Sequence, residues 1–160
     1  CSDKRLIAVD PNSAGGFLYP FGLFFDHGIT QKDFQEVAFA SGSAGRQEAV
    51  VMAVYTGAYD VGTIRKGTLQ VVRDKIDLEQ IRVLAESRPF PGWVYSVRKG
   101  FDPGNKDKIA RALLDLSMSR REDAKVLTAA GMIDIIPARD EDYEPIRTLV
   151  RRLNLKGDFQ

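Results

Sequence analysis

Early in the chain, a short apolar stretch rich in branched residues runs through a cluster of small residues into a segment with helical spacing, and the same order then repeats; this repetition narrows the fold more than any other feature. Arg5-Leu6-Ile7-Ala8-Val9 reads as a buried strand closed by the turn formers Asp10-Pro11-Asn12. Ser13-Ala14-Gly15-Gly16 follows, and then Phe17, Leu18, Phe21, Phe24 and Phe25 fall at helical intervals. Pro20 fits a helix only near its first turn, which puts the start close to Gly16, and Gly28 is the expected C-cap. In the second unit, Val37-Ala38-Phe39-Ala40 is the strand and Ser41-Gly42-Ser43-Ala44-Gly45 the junction. The helix spans about Arg46 to Thr56, with Ala49, Val50, Ala53 and Val54 as its apolar stripe and Gly57 closing it. A third strand is predicted at Tyr59–Ile64, a short helix at Lys66–Arg73 and a fourth strand at Ile81–Ala85. Strands alternating with helices over short loops specify an α/β layer structure with a mostly parallel sheet.

The pattern changes after Pro89-Phe90-Pro91-Gly92. Trp93 to Arg98 has the composition of one more strand, but from Asp102 onward the periodicity is helical. Ile109, Ala112, Leu113 and Leu116 mark one stripe, Ala124, Leu127 and Ala130 a second. The third is Tyr143, Ile146, Leu149, Val150 and Leu153, with Asp142 as a candidate N-cap. Ile133-Asp134-Ile135-Ile136-Pro137 between the last two helices reads as extended. The chain therefore divides, on sequence, into an α/β domain over 1–98 and a helical segment over 99–160, with 87–104 as hinge or crossover.

Composition excludes several function classes. Lys and Arg total 23 against 22 acidic residues, so the net charge of +1 supplies no global field for nucleic acid or an anionic membrane, and any anion site must be local. No apolar run approaches the roughly 18 residues of a membrane-spanning helix. One cysteine and one histidine, His27, leave no disulfide framework, no Cys-based zinc site and no multi-histidine metal centre, and no cofactor motif is present. Cys1 admits two readings, the lipidated cysteine of a processed bacterial lipoprotein or an arbitrary fragment start, of which the second is the more economical.

The first junction, Ser13 to Gly16, is the most informative site. Small residues let a ligand approach the backbone, and the unpaired amides and dipole of a first helical turn favour phosphate, phosphonate, sulfate or carboxylate. Ser13 adds a hydroxyl. The second junction has the same design and leads into Arg46 and Gln47, while Arg65 and Lys66 directly follow the third strand. In a parallel sheet these loops share the edge at the strands' carboxyl ends, the usual ligand edge. Gly62 to Gly67 has the glycine spacing of a P-loop, but Thr68 stands where the lysine is required. No G-x-S-x-G elbow occurs, and Asp10 and Asp60 are candidate paired carboxylates for acid–base work, a role that strand-end aspartates fill less often than that of turn former. The chain reads as a binding protein, not an enzyme.

Val9-Asp10-Pro11-Asn12-Ser13-Ala14-Gly15-Gly16-Phe17-Leu18-Tyr19-Pro20 resembles the opening of the second lobe in the phosphate/phosphonate-type substrate-binding proteins of ABC transporters. Gly45-Arg46-Gln47-Glu48-Ala49-Val50, then Gly57 with Tyr59-Asp60-Val61-Gly62, is similar to that family's next glycine-led helix and its D-x-G strand. Ile76-Asp77-Leu78, Arg82-Val83-Leu84 and Pro91-Gly92-Trp93 continue in order, and Ala138 to Arg147 resembles the family's C-terminal signature. Two departures stand out. Only Ser13 remains of a hydroxyl-rich anion junction, and Arg46-Gln47 replaces a frequent Ser-His pair.

The resemblance implies a lobe of the type 2 periplasmic binding fold, periplasmic or at the cell envelope, that closes on a small oxyanion and passes it to ABC transporter membrane subunits. Its ligand contacts would come from Ser13, Ala14, Gly15 and Gly16, with Arg46, Gln47 and Arg65, and with Tyr19 and Trp93 lining the cleft or packing. It also implies that an upstream half of the first lobe lies outside this sequence, so the C-terminal helices need cover from the second lobe or from a second copy in a homodimer. Two alternatives compete: a sensor input domain ahead of a histidine kinase, suggested by Arg65-Lys66-Gly67-Thr68-Leu69, and a small hydrolase using Asp10 or Asp60.

Overall fold

In the computed structural model, which describes residues 3–42 and 45–154, the strand β1 (Arg5–Ala8) is the centre of a three-stranded parallel sheet. β2 (Glu36–Phe39) pairs along one side, with Leu6 opposite Val37, and β3 (Val61–Gly62) along the other, with Leu6 opposite Val61. A central parallel strand is covered on both faces, so every residue from Leu6 to Val9 is buried. Ile7 and Val9 point to one side, where they meet Val50, Ala53 and Val54 of the helix α2 (Arg46–Tyr55). Ala8 points to the other, against Phe17 and Phe21.

Phe17 lies in a wide helical turn over Ala14–Leu18, and Phe21 in the helix α1 (Tyr19–Asp26) that continues it. Aromatic rings fill this second layer: Phe17 lies 5.3 Å from Phe21 and 5.2 Å, edge-on, from Phe39. α2 in turn packs on α3 (Thr68–Val72) through Val51, Val72 and Ile76. The result is an α/β layer structure around a parallel sheet, as the repeat predicts, with helices on both faces. Gly28 and Gly57 follow α1 and α2 with φ of 74° each, the left-handed conformation expected of C-cap glycines.

Ile81–Ala85 and Trp93–Arg98, read from composition as further strands, form no ladder. A strand exists only through a partner, and Val83, Leu84, Trp93, Val94, Tyr95 and Val97 are exposed. Three further helices follow: α4 (Pro103–Leu114), α5 (Arg121–Ala129) and α6 (Glu144–Arg152). Asp142 does not cap α6; it belongs to a 3₁₀ turn over Asp140–Tyr143, where its carboxylate accepts from the Arg139 amide at 2.8 Å.

The compact units divide the chain elsewhere than between 98 and 99. One holds the residues through Phe90 together with those from Pro145 onward, the other Pro91–Glu144. The stripe of α6 therefore finds its cover in the first unit, where Leu149 is buried against Gly22 of α1 and Leu153 joins the Ala8 and Phe17 cluster. In the second unit Leu127 is buried at 1% exposure, while Ile109, Leu114 and Val126 are exposed. Cys1, Ser43 and Ala44 lie outside the described residues.

Candidate functional site

The connections of the sheet define a topological switch point. β1 leads out to α1 on one face, whereas its neighbour β3 leads out to α3, which packs with α2 on the opposite face. Loops that diverge from adjacent parallel strands leave an opening at the carboxyl edge, the topological switch point where α/β folds take their ligands.

The loop after β1 is built by its own hydrogen bonds. The Asp10 carboxylate accepts from the Asn12 amide at 2.8 Å, and the Asp10 carbonyl accepts from the Ser13 amide at 3.0 Å. Ser13 then caps the helix: its Oγ accepts from the Gly16 amide at 3.1 Å, and its carbonyl accepts from both Phe17 (2.9 Å) and Leu18 (3.0 Å). The Leu18 and Tyr19 amides reach back five residues, so the first turn is wider than an α-helix. Of the four amides expected to face a ligand, those of Ser13 and Gly16 are thus spent on the turn itself. Those of Ala14 and Gly15 meet no acceptor among the described residues, and Ala14 is exposed.

Packing fixes the turn from below. A Cβ on Gly16 would stand 2.5 Å from Val9 Cγ2 and 2.8 Å from Ser13 Oγ, so no side chain fits there. The Gly16 carbonyl accepts from the buried Thr63 hydroxyl at 2.7 Å, and the Thr63 amide donates to Ile7 at 3.1 Å. Thr63, at the end of β3, is the positioning residue that the sequence reading missed; a hydroxyl flanked by apolar strand residues was its only signal.

The other two loops close on the first. Arg46, first residue of α2, makes an ion pair with the Asp10 carboxylate across 36 residues of sequence. The Asn12 amide, and after it the Arg46 guanidinium, hold the Asp10 carboxyl below its ordinary range. Gln47 Oε1 accepts from the Arg65 amide at 2.9 Å, which ties the loop after β3 to α2. Arg65 Cβ lies 3.4 Å from the position a Cβ would take on Gly15. Ser13, Ala14, Gly15, Gly16, Arg46, Gln47 and Arg65 are therefore gathered at one edge. Tyr19 sits one turn further along and stacks on Phe90 at 4.1 Å with the rings 9° apart, a packing contact. Trp93 belongs to the other compact unit and is 82% exposed.

Asp10 and Asp60 are not a pair. Asp60 precedes β3 and accepts from the Arg5 amide at 2.8 Å, at the start of β1, whereas Asp10 follows the end of β1. In parallel strands those are opposite edges of the sheet, so the two carboxylates share no substrate.

Residues 1–143 match the family described as ABC transporter, phosphonate, periplasmic substrate-binding protein. The chain belongs to that family. It is 25% identical over 158 residues to the phosphate-import protein PhnD of Mycolicibacterium smegmatis (strain ATCC 700084 / mc(2)155), covering 90% of this chain and 49% of that protein. It also superposes, with a TM-score of 0.69 at 22% identity, on PhnD1 from Prochlorococcus marinus (MIT 9301), solved in complex with methylphosphonate at 1.52 Å resolution. That likeness covers 96% of this chain and 58% of PhnD1, and it speaks for the fold. The chain thus spans about half the length of the curated relative that it matches. The family is one of periplasmic transport proteins and not a family of enzymes.

Proposed function

We propose that the switch point between the ends of β1 and β3 binds a small oxyanion of the phosphate or phosphonate class. In this reading the chain supplies the second-lobe side of a solute-binding component that delivers the anion to ABC transporter membrane subunits. The observation that carries the reading is the pair of amides at Ala14 and Gly15 that meet no acceptor among the described residues, at the switch point and with the Arg65 Cβ packed beside Gly15. Two convergent amides, the Ser13 hydroxyl proton and a guanidinium offer a tetrahedral anion donors from several directions, and the first turn of the helix adds partial positive charge. Membership of a periplasmic phosphonate-binding family supports the same ligand class.

Affinity in the isolated chain is expected to be weak, because a cleft closed from both sides buries most of its ligand and this chain contributes one side. Calorimetric titration with inorganic phosphate, methylphosphonate, sulfate and acetate tests the reading. Heat from the tetrahedral anions, lost on Arg65→Gln, is the expected outcome. No heat from any of them, also when the chain is joined to the rest of a full-length relative's first lobe, would overturn it.

A further inference from the structure

We propose that this rim selects a singly charged oxyanion over a doubly charged one, because Asp10 holds Arg46 and leaves Arg65 as the one loop cation without a carboxylate. The inference rests on the oxyanion reading above and adds to it the charge of the ligand. The three loops at this edge carry Arg46, Arg65 and Lys66. Arg46 is spent on Asp10, with both side chains about one-third exposed or less. Lys66 faces Glu86 at 3.5 Å and is 90% exposed, so its charge is both offset and screened. Arg65 has its backbone amide fixed by Gln47 and its Cβ beside Gly15, and its guanidinium meets no carboxylate among the described residues.

The carboxylates complete the count. Asp10 lies in the same turn as the open amides, and Glu48 reaches back toward Gly45, 3.7 Å from the position of a Cβ there, at the head of α2. An arriving anion therefore meets one uncompensated guanidinium, an Arg46–Asp10 pair of no net charge, and the Glu48 carboxylate at the head of α2. A monoanion is satisfied by Arg65 and the amides. The second charge of a dianion gains no cation of its own, must give up a stronger hydration shell, and lies near Asp10. The apparent gain of a basic residue at position 46 is thus cancelled from within the site. Arg46 acts as a latch between the first two loops.

The test uses two tetrahedral probes whose charges are fixed near neutral pH, methanesulfonate with one and sulfate with two, titrated into the full chain and its variants. The wild-type chain is expected to bind methanesulfonate more tightly by roughly tenfold or more, the ratio that one charge-assisted hydrogen bond represents. Asp10→Asn frees Arg46 while retaining an acceptor for the Asn12 amide, and it should shift the preference toward sulfate by a similar factor. Arg46→Gln leaves Asp10 unpaired and should widen the preference for methanesulfonate. Arg65→Gln should weaken both probes together. Equal binding of the two probes by the wild type, or a ratio unmoved by Asp10→Asn, would overturn the charge selection and leave the oxyanion reading standing. Absence of binding by either probe, and by inorganic phosphate and methylphosphonate, also when the chain is joined to the rest of a full-length relative's first lobe, would remove both.

Discussion

The Thr63 hydroxyl donates to the Gly16 carbonyl at 2.7 Å, a buried hydrogen bond that joins the end of β3 to the turn after β1. Beside it, the Val9 amide reaches the same carbonyl only at 3.4 Å. Thr63→Val keeps the side-chain shape and removes the donor, so that the carbonyl loses its 2.7 Å bond and keeps the longer one from Val9. We expect a loss of about 1–3 kcal/mol in urea unfolding, with Thr63→Ser retaining most of the wild-type stability. A Thr63→Val chain as stable as wild type would mean that the turn is held by packing alone.

Gly16 tests that packing from the other side. Gly16→Ala puts a methyl group 2.5 Å from Val9 Cγ2 and 2.6 Å from Val9 Cβ, inside a contact that cannot open without moving β1. The expected cost is about 1–3 kcal/mol, that of an overpacked core. Adding Val9→Gly, which removes both the Cγ2 and the Cβ of the overlap, should return part of it, so that the double variant is less destabilised than the two single losses summed. Strict additivity in the melting data would contradict the overlap.

How much of this was legible in the sequence follows from how local each signal is. The α2 helix at Arg46–Tyr55 lies within a residue of its expected span, because its stripe and both flanking glycines are written in consecutive positions. The three loops could be placed on one edge because parallel topology alone puts them there. Ile81–Ala85 failed because branched residues favour an extended backbone, while ladder pairing depends on a partner that local composition cannot name. The same limit hid the Arg46–Asp10 pair and the Thr63 anchor, each joining residues dozens of positions apart. Ser13 was read as a ligand donor, whereas its oxygen caps its own helix and only the hydroxyl proton is left for a guest.

Asp60 gives a pH dependence with a definite sign. The Arg5 amide, followed by the Lys4 and Arg5 charges, holds its carboxyl below the ordinary range. A carboxyl depressed on folding stabilises the fold above its unfolded value, near 3.9, and that contribution fades as pH falls through the lower folded value. Asp60→Asn should therefore melt earlier than wild type at neutral pH, with the gap closing as the pH drops from about 5 toward 2. Since Asp60 lies at the sheet edge opposite Asp10, oxyanion affinity at neutral pH should be unchanged in this variant. A gap that is constant with pH would assign the Asp60 effect to shape instead of charge.

The docking of α6 on α1 depends on the absence of a side chain at Gly22. Leu149, buried at 4% exposure, places its Cδ1 2.5 Å from where a Cβ on Gly22 would stand. Leu149→Ala should cost about 2–4 kcal/mol through lost burial and the cavity left behind. Gly22→Ala raises helix propensity by roughly 1 kcal/mol, but Leu149, enclosed on its other sides, must shift to admit the methyl group, so the net change is expected to be destabilising. In the double variant Gly22→Ala, Leu149→Ala the new methyl group enters the space Leu149 vacates. The helix-propensity gain is then realised without the overlap, and the double variant should be more stable than Leu149→Ala alone. Thermal melts of the four chains measure the coupling, expected at about 0.5–3 kcal/mol. Coupling near zero would place α6 elsewhere than on α1 in solution, and the apolar stripe of Leu149 and Leu153 would then need a cover from outside this unit.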